Sequence, residues 1–163
     1  MSADMYDDGY RDLLSTDFSG VVVDMMRARH KESRPGLRWE KMDMLSLDLP
    51  DGSVDAVVDK AAMDALIVDK GDPWNPDTGT IERAHRMCSE VSRVLAPGGV
   101  FVQLSFEQEH FRKKLLMGDH VTVTSAVTAT AAAASSMYGW DMRVENIQRA
   151  GGCFGQFLYV MRR

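Results

Sequence analysis

The sequence predicts an α/β fold built on a mainly parallel sheet, with an antiparallel hairpin added at the C-terminal end. Three observations lead there. Short apolar runs alternate with stretches of helical periodicity through most of the 163 residues. Residues 54–58, Val-Asp-Ala-Val-Val, form a compact run of the kind that buried parallel strands show. In the final third the pattern changes: 140–147 and 154–161 both read as extended, with Gly151-Gly152 between them.

The elements follow in order. A short, partly apolar run at 12–16 ends on Asp17, and Ser19 is placed to cap a helix in which Val22, Met25 and Met26 share a face. Ser33-Arg34-Pro35-Gly36 ends that helix. Residues 37–42 alternate as a strand and run into Asp43-Met44. The strand at 54–58 closes on Asp59-Lys60, and 61–68 returns to helical spacing. A loop with Pro73, Trp74, Pro76 and Gly79 follows. Thr80 is placed to cap the most regular helix, whose apolar face is Ile81, Ala84, Cys88, Val91 and Leu95. Pro97-Gly98-Gly99 stops it, and 100–104 is the next strand. Residues 121–136 are rich in Ala, Thr and Ser and lack the large side chains a core needs, so a surface insertion is expected there.

Composition bounds the function. Hydrophobic residues make up 45% and charged residues 26%, which fits one domain over residues 1–163 with a single core. The net charge of −5 weighs against a general nucleic-acid or membrane-surface binder, which needs a basic field. No apolar run reaches the length of a membrane span. Two cysteines without a CxxC pair suggest neither a disulfide scaffold nor a zinc site, so no metal is expected, and reduced thiols suit the cytoplasm.

The informative feature is positional. Asp17, Asp43 and Asp59 each close a strand candidate. In an open parallel sheet, ligands bind outside the carboxyl ends of the strands. An acid there can accept both hydroxyls of a ribose, another can accept an adenine amine, and a third can face the reacting end of the ligand. Aspartate also sits at strand ends simply because it turns the chain well. The spacing alone fits other nucleotide or dinucleotide binders too.

Several segments carry a family resemblance. The run from Asp55 to Leu66, with Asp59-Lys60 and Asp64 inside it, resembles the "D-x-V-x-D/E-K-G-x-x-D-x-L" segment of a eukaryotic group of class I S-adenosylmethionine-dependent methyltransferases. That group includes the lysine methyltransferases of translation elongation factor 1-alpha. The run from Ser89 to Gly99 is similar to their "E-x-x-R-V-L-x-P-G-G" stretch. Glu109-His110-Phe111-Arg112, Tyr138-Gly139-Trp140 and the run from Phe154 to Met161 are similar to later signatures. Asp72-Pro73-Trp74 resembles the type 4 subgroup. The resemblance covers all but the Ala/Thr-rich stretch.

The resemblance implies a Rossmann-like class I methyltransferase sheet, S-adenosylmethionine as cofactor, and a protein-lysine acceptor on a translation factor such as elongation factor 1-alpha. A monomer in the cytoplasm is expected. Carried over residue by residue, Asp17 binds ribose with Phe18 beside the adenine. Asp43 takes the adenine amine and the backbone N–H of Met44 a ring nitrogen. Lys60 flanks the methionine moiety, and Asp59 is the candidate catalytic acid that orients the amine or accepts its proton. Trp74 and Tyr138 are candidates to line an acceptor channel. The family's glycine after the lysine is Ala61 here.

The family's first strand and its "G-C-G-N-S" loop would lie upstream of Met1, since 1–10 resembles the helix after that loop. The expected sheet therefore lacks its first strand, and weak cofactor binding is expected. The alternative reading is a truncated, catalytically inactive methyltransferase-like fragment that acts as an interaction protein.

Overall fold

Strands form where β-branched and aliphatic residues cluster, and helices where apolar residues recur every three or four positions. In the computed structural model these elements divide into two compact units, Met1–Asp48 and Leu49–Arg163. The residues described are 1–68, 71–72, 74–119, 136–147 and 155–163.

The first unit opens with helix α1 (Ser2–Asp7), followed by strand β1 (Leu13–Asp17), helix α2 (Gly20–His30) and strand β2 (Leu37–Lys41). β1 and β2 pair in parallel, with Leu13 opposite Leu37 and Asp17 opposite Lys41. A parallel pair needs a crossover, and α2 supplies it. Ser19 caps α2 by accepting from Val22 N–H, as its position predicts. The buried face of α2 differs from the expected one. Val23 and His30 are buried, whereas Met25 is exposed. His30 stacks on Trp39 of β2 with ring centroids 6.1 Å apart, so an aromatic contact sets the rotation of the helix.

The second unit contains strand β3 (Val54–Lys60), helix α3 (Ala62–Leu66), the two-residue strands β4 (Gly71–Asp72) and β5 (Asn75–Pro76), and helix α4 (Thr78–Val94). Strand β6 (Leu95–Ser105), helix α5 (Glu109–Met117) and strands β7 (Asp141–Ile147) and β8 (Gln156–Arg162) complete it. The sheet order is β3-β6-β8-β7. β3 and β6 are parallel, while β8 runs antiparallel to both β6 and β7. The C-terminal hairpin thus joins the sheet at its edge, as the sequence predicts. Its Gly151-Gly152 turn lies outside the described residues, as do Cys153 and residues 121–135 of the Ala/Thr-rich stretch. Ser136, at the end of that stretch, is buried, and its hydroxyl accepts from Trp140 N–H at 3.0 Å. Among the described residues β1 pairs only with β2, and β3 only with β6.

α4 is the backbone of the core. Ala84, Cys88 and Val91 are buried along its predicted face, joined by Met87 and Val94. Burial pushes the Cys88 thiol up to about 12, so it packs as a small apolar side chain. The helix starts earlier than expected. Asp77 is the cap and accepts from Thr80 N–H at 3.0 Å, while the Thr80 hydroxyl donates to its other oxygen at 2.6 Å. Thr80 is therefore the capped residue, fully buried, and the acid three positions earlier wins the cap. The segment from Pro97 to Gly99 belongs to β6, which begins directly after α4. α5, which the sequence pattern does not reveal, buries Arg112, Leu115 and Leu116 and ends at Gly118 in the left-handed conformation.

The Thr80 hydroxyl and N–H hold the Asp77 carboxyl below its ordinary range. A depressed carboxyl stabilises the fold above its unfolded pKa, and that contribution is lost as pH falls through the folded value. An NMR titration of the Asp77 carboxyl is expected to give a midpoint below that of a free aspartate. Removing the Thr80 hydroxyl with Thr80→Val is expected to raise it.

Candidate functional site

The first unit places two of the predicted acids at the same end of its parallel pair. Asp17 is the last residue of β1, and its Oδ1 accepts from Ser19 N–H at 2.8 Å. Asp43 follows β2 by two residues, and its Oδ1 accepts from Leu45 N–H at 2.9 Å. Met42 N–H donates to the Asp17 carbonyl at 3.0 Å, tying the two strand ends together. Each acid therefore spends one oxygen on its own turn, an arrangement aspartate favours. Phe18, beside Asp17, is 75% exposed, so one face of its ring is open to a flat ligand. Met44 is half-buried after Asp43. Acceptors at two adjacent strand ends, with an exposed ring beside one of them, suit the sugar and base of an adenosine.

In the second unit Asp59 is buried and multiply bonded. Its Oδ1 accepts from Ala62 N–H at 2.6 Å, and its Oδ2 from Met63 N–H at 3.2 Å and Gln103 Nε2 at 2.8 Å. The first two bonds satisfy the free N–H groups at the start of α3. Gln103 lies opposite Asp59 in the β3–β6 register, so the sheet itself supplies the third donor. Lys60 is exposed at the last position of β3. Ala61 then takes a left-handed conformation at φ 61°, the one described non-glycine residue with positive φ. The family's glycine at this place has a physical reason: the chain reverses sharply to let Asp59 cap α3.

Beyond Asp59 the structure reveals a charged cluster that sequence reasoning left without a role. Asp64, in the first turn of α3, accepts from Arg112 Nη2, from the Ser105 hydroxyl at 2.7 Å and from Phe106 N–H at 3.2 Å. Arg112 also donates to Ser105 Oγ at 3.2 Å. Burial pulls the Arg112 guanidinium below its ordinary value, and the Asp64 charge opposes that shift. Both residues fall in segments quoted for the family resemblance. The available signal was an arginine one turn before Leu115 and Leu116 on the same helix. The two candidate channel aromatics part company. Tyr138 is buried, and its hydroxyl pairs with His85 Nδ1 at 3.1 Å, so it is core. Trp74 is 68% exposed and packs on His110 and Phe111 at 5.4 and 4.8 Å.

A profile of the methyltransferase domain matches residues 1–103, more than half of the chain, and the chain belongs to that family. Among curated relatives, EEF1A lysine methyltransferase 4 of Bos taurus is 36% identical over 163 residues, covering the whole chain and 56% of the relative. The Mus musculus protein of the same name is 39% identical over 112 residues, covering 69% of the chain and 44% of the relative. The chain thus spans about half the length of these relatives. The eEF1A lysine and N-terminal methyltransferase of Homo sapiens is 37% identical over 114 residues, covering 70% of the chain and 16% of the relative. Solved structures show the same fold. A SAM-dependent methyltransferase from Methanosarcina mazei aligns with a TM-score of 0.62 at 17% identity, over 100% of this chain and 86% of that one. The N-methyltransferase NodS from Bradyrhizobium japonicum WM9, in complex with S-adenosyl-L-homocysteine, aligns with a TM-score of 0.62 at 13% identity, over 98% and 70%. The Rossmann-like methyltransferase fold expected from the sequence is therefore the fold observed. Among the described residues, no helix is long and apolar enough to cross a membrane.

Ala61 yields a direct test of the reversal. A left-handed L-residue costs ~1–2 kcal/mol, and glycine gives back part of that gain through its greater freedom in the unfolded chain. Ala61→Gly is expected to raise stability by ~0.5–1 kcal/mol, read as a higher urea midpoint at an unchanged slope.

Proposed function

We propose that the protein is an S-adenosylmethionine-dependent protein-lysine N-methyltransferase acting on elongation factor 1-alpha. The observation that carries this reading is the alignment of the entire chain with EEF1A lysine methyltransferase 4, and Asp17, Asp43 and Asp59, each at or just past a strand end, support it. The family match runs across the boundary between the two units, which supports reading residues 1–163 as parts of one methyltransferase domain. The relatives' names favour the enzyme over a purely binding fragment.

The residues suit the cofactor. In the first unit Asp17 accepts from the ribose hydroxyls, and the exposed ring of Phe18 covers one face of the adenine. Asp43 accepts from the adenine amine, and the Met44 N–H donates to a ring nitrogen. In the second unit Asp59 and Lys60 serve the methionine end. When bound, the cofactor supplies an electrophilic methyl group on a sulfonium.

The protein's task is alignment and charge placement, since an amine needs no covalent help to attack a methyl group. The acceptor lysine must shed its proton first, and a desolvated setting favours the neutral amine. Asp59 has three of its roughly four acceptor directions filled. One remains to take an N–H of the incoming amine and fix its approach.

The test is incubation of the full-length protein with labelled S-adenosylmethionine and purified elongation factor 1-alpha. Label on a lysine of that factor, located by mass spectrometry, is the expected result. Labelling of a different protein class would overturn the substrate. An absence of cofactor binding by calorimetry would overturn the activity. Asp17→Ala and Asp43→Ala are each expected to raise the cofactor Kd about ten-fold or more, because a charged hydrogen bond contributes ~1.5–3 kcal/mol.

A further inference from the structure

The inward row of β6 changes character along the strand. Phe101, Gln103 and Ser105 are all buried on one face. The apolar ring comes first. The two polar side chains stand at the carboxyl end, each against an acid of another element: Gln103 against Asp59 and Ser105 against Asp64. Ser105 is satisfied there, since its hydroxyl donates to Asp64 and accepts from Glu107 N–H. Gln103 is not. Its Nε2 donates to Asp59 Oδ2 at 2.8 Å and lies 3.5 Å from Met63 Sδ, but its Oε1 is sealed from solvent and finds no donor among the described residues.

A fully buried amide with an unmet oxygen is a poor stabiliser of a fold. Asp59 already receives Ala62 N–H on Oδ1 and Met63 N–H on Oδ2, which is all that the start of α3 asks of it. Gln103 meets one further demand of the carboxylate and leaves one of its own unmet, so stability gives little reason for it. Buried groups left in that state are rare in folded proteins, and a role at a reacting centre is one reason for keeping them.

What Gln103 changes is which oxygen stays open. An ionised carboxyl has about two acceptor directions on each oxygen. Oδ2 takes two donors, Met63 N–H and Gln103 Nε2, and is full. Oδ1 takes Ala62 N–H alone, so the free direction belongs to Oδ1. The donors sit on a helix start and on the neighbouring strand, so the carboxyl is not free to turn and exchange its oxygens. Without Gln103 a direction would open on each oxygen, and an incoming N–H could be taken in two orientations.

We propose that Gln103 is a positioning residue for methyl transfer: it fills Asp59 Oδ2 and makes Oδ1 the atom that accepts an N–H of the acceptor amine. The assignment rests on the methyltransferase reading above and deepens it from a residue to an atom. Gln103 is 0% exposed and acts through Asp59.

The test compares the full-length protein with Gln103→Met and Gln103→Glu, with kcat referred to the fraction that binds S-adenosylmethionine by calorimetry. Gln103→Met removes the donor and fills nearly the same volume. It is expected to melt at a lower temperature yet fold, with the Ala62 and Met63 amides still protected from hydrogen exchange, because both backbone bonds to Asp59 remain. Misorientation of the amine is expected to lower kcat for elongation factor 1-alpha about ten-fold to a hundred-fold, while KM and the cofactor Kd stay within about two-fold. Gln103→Glu, which matches the volume and replaces the donor by an acceptor, is expected to lower kcat at least as far. An unchanged kcat in a folded variant, or a rise in KM that matches the fall in kcat, would overturn the proposal and leave the methyltransferase reading standing. Loss of Ala62 and Met63 protection, or failure of both variants to fold, would make Gln103 a structural residue and overturn the proposal equally. A wild-type protein that binds cofactor and transfers no methyl group to the factor would overturn that reading, and the proposal with it.

Discussion

One buried carboxylate fixes the architecture of the second unit's functional end. Asp59, the penultimate residue of β3, accepts from the first two N–H groups of α3 and from Gln103 of the neighbouring strand. Removing any one of these partners leaves a buried charge short of a donor, which costs far more than an ordinary hydrogen bond. The strand end, the helix start and the sheet register are therefore determined together. Because α3 begins where Asp59 holds it, Asp64 in its first turn falls against Ser105, Phe106 and Arg112. A single acid thus decides where a second acid stands.

The same arrangement explains what the sequence could and could not reveal. α4 was legible because its buried positions are nearly all apolar and recur at helical spacing. α5 was not, because a charge occupies one of its core positions. Arg112 faces inward and is fully buried, so the apolar period breaks there, and its partners Asp64 and Ser105 come from other elements. Periodicity reads local pattern, and a buried ion pair is non-local information. The face of α2 was misplaced for a related reason. Its inward side is set by His30 against Trp39, an aromatic contact that hydrophobicity spacing does not encode. The cap of α4 moved from Thr80 to Asp77 because both residue types cap, and the one whose partner could itself become buried prevailed.

The strand-end acids show why local chemistry alone does not separate a turn residue from a ligand residue. Asp17 and Asp43 both accept from the N–H two residues later, which is what an aspartate in a turn does anyway. A carboxylate has two oxygens and about four acceptor directions. Holding a turn consumes one of them and, by stiffening the side chain, pre-organises the rest. The bland reading and the functional reading are therefore compatible, and the turn is what would make the site rigid.

Ala61 carries the argument one step further. Its left-handed backbone is unfavourable for any residue with a Cβ, and such strain persists only where the surroundings over-determine it. Here they do. The Ala61 N–H donates to the Leu104 carbonyl of β6 at 2.9 Å, and the next two N–H groups donate to Asp59. Three consecutive backbone donors are claimed by fixed acceptors, so the chain has no conformation left but the strained one. Relaxing Ala61 would release Ala62 and Met63 from Asp59, and with them the turn of α3 that carries Asp64. The strain is the local cost of placing two carboxylates on either side of one sharp reversal, Asp59 at the end of the strand and Asp64 in the first turn of the helix.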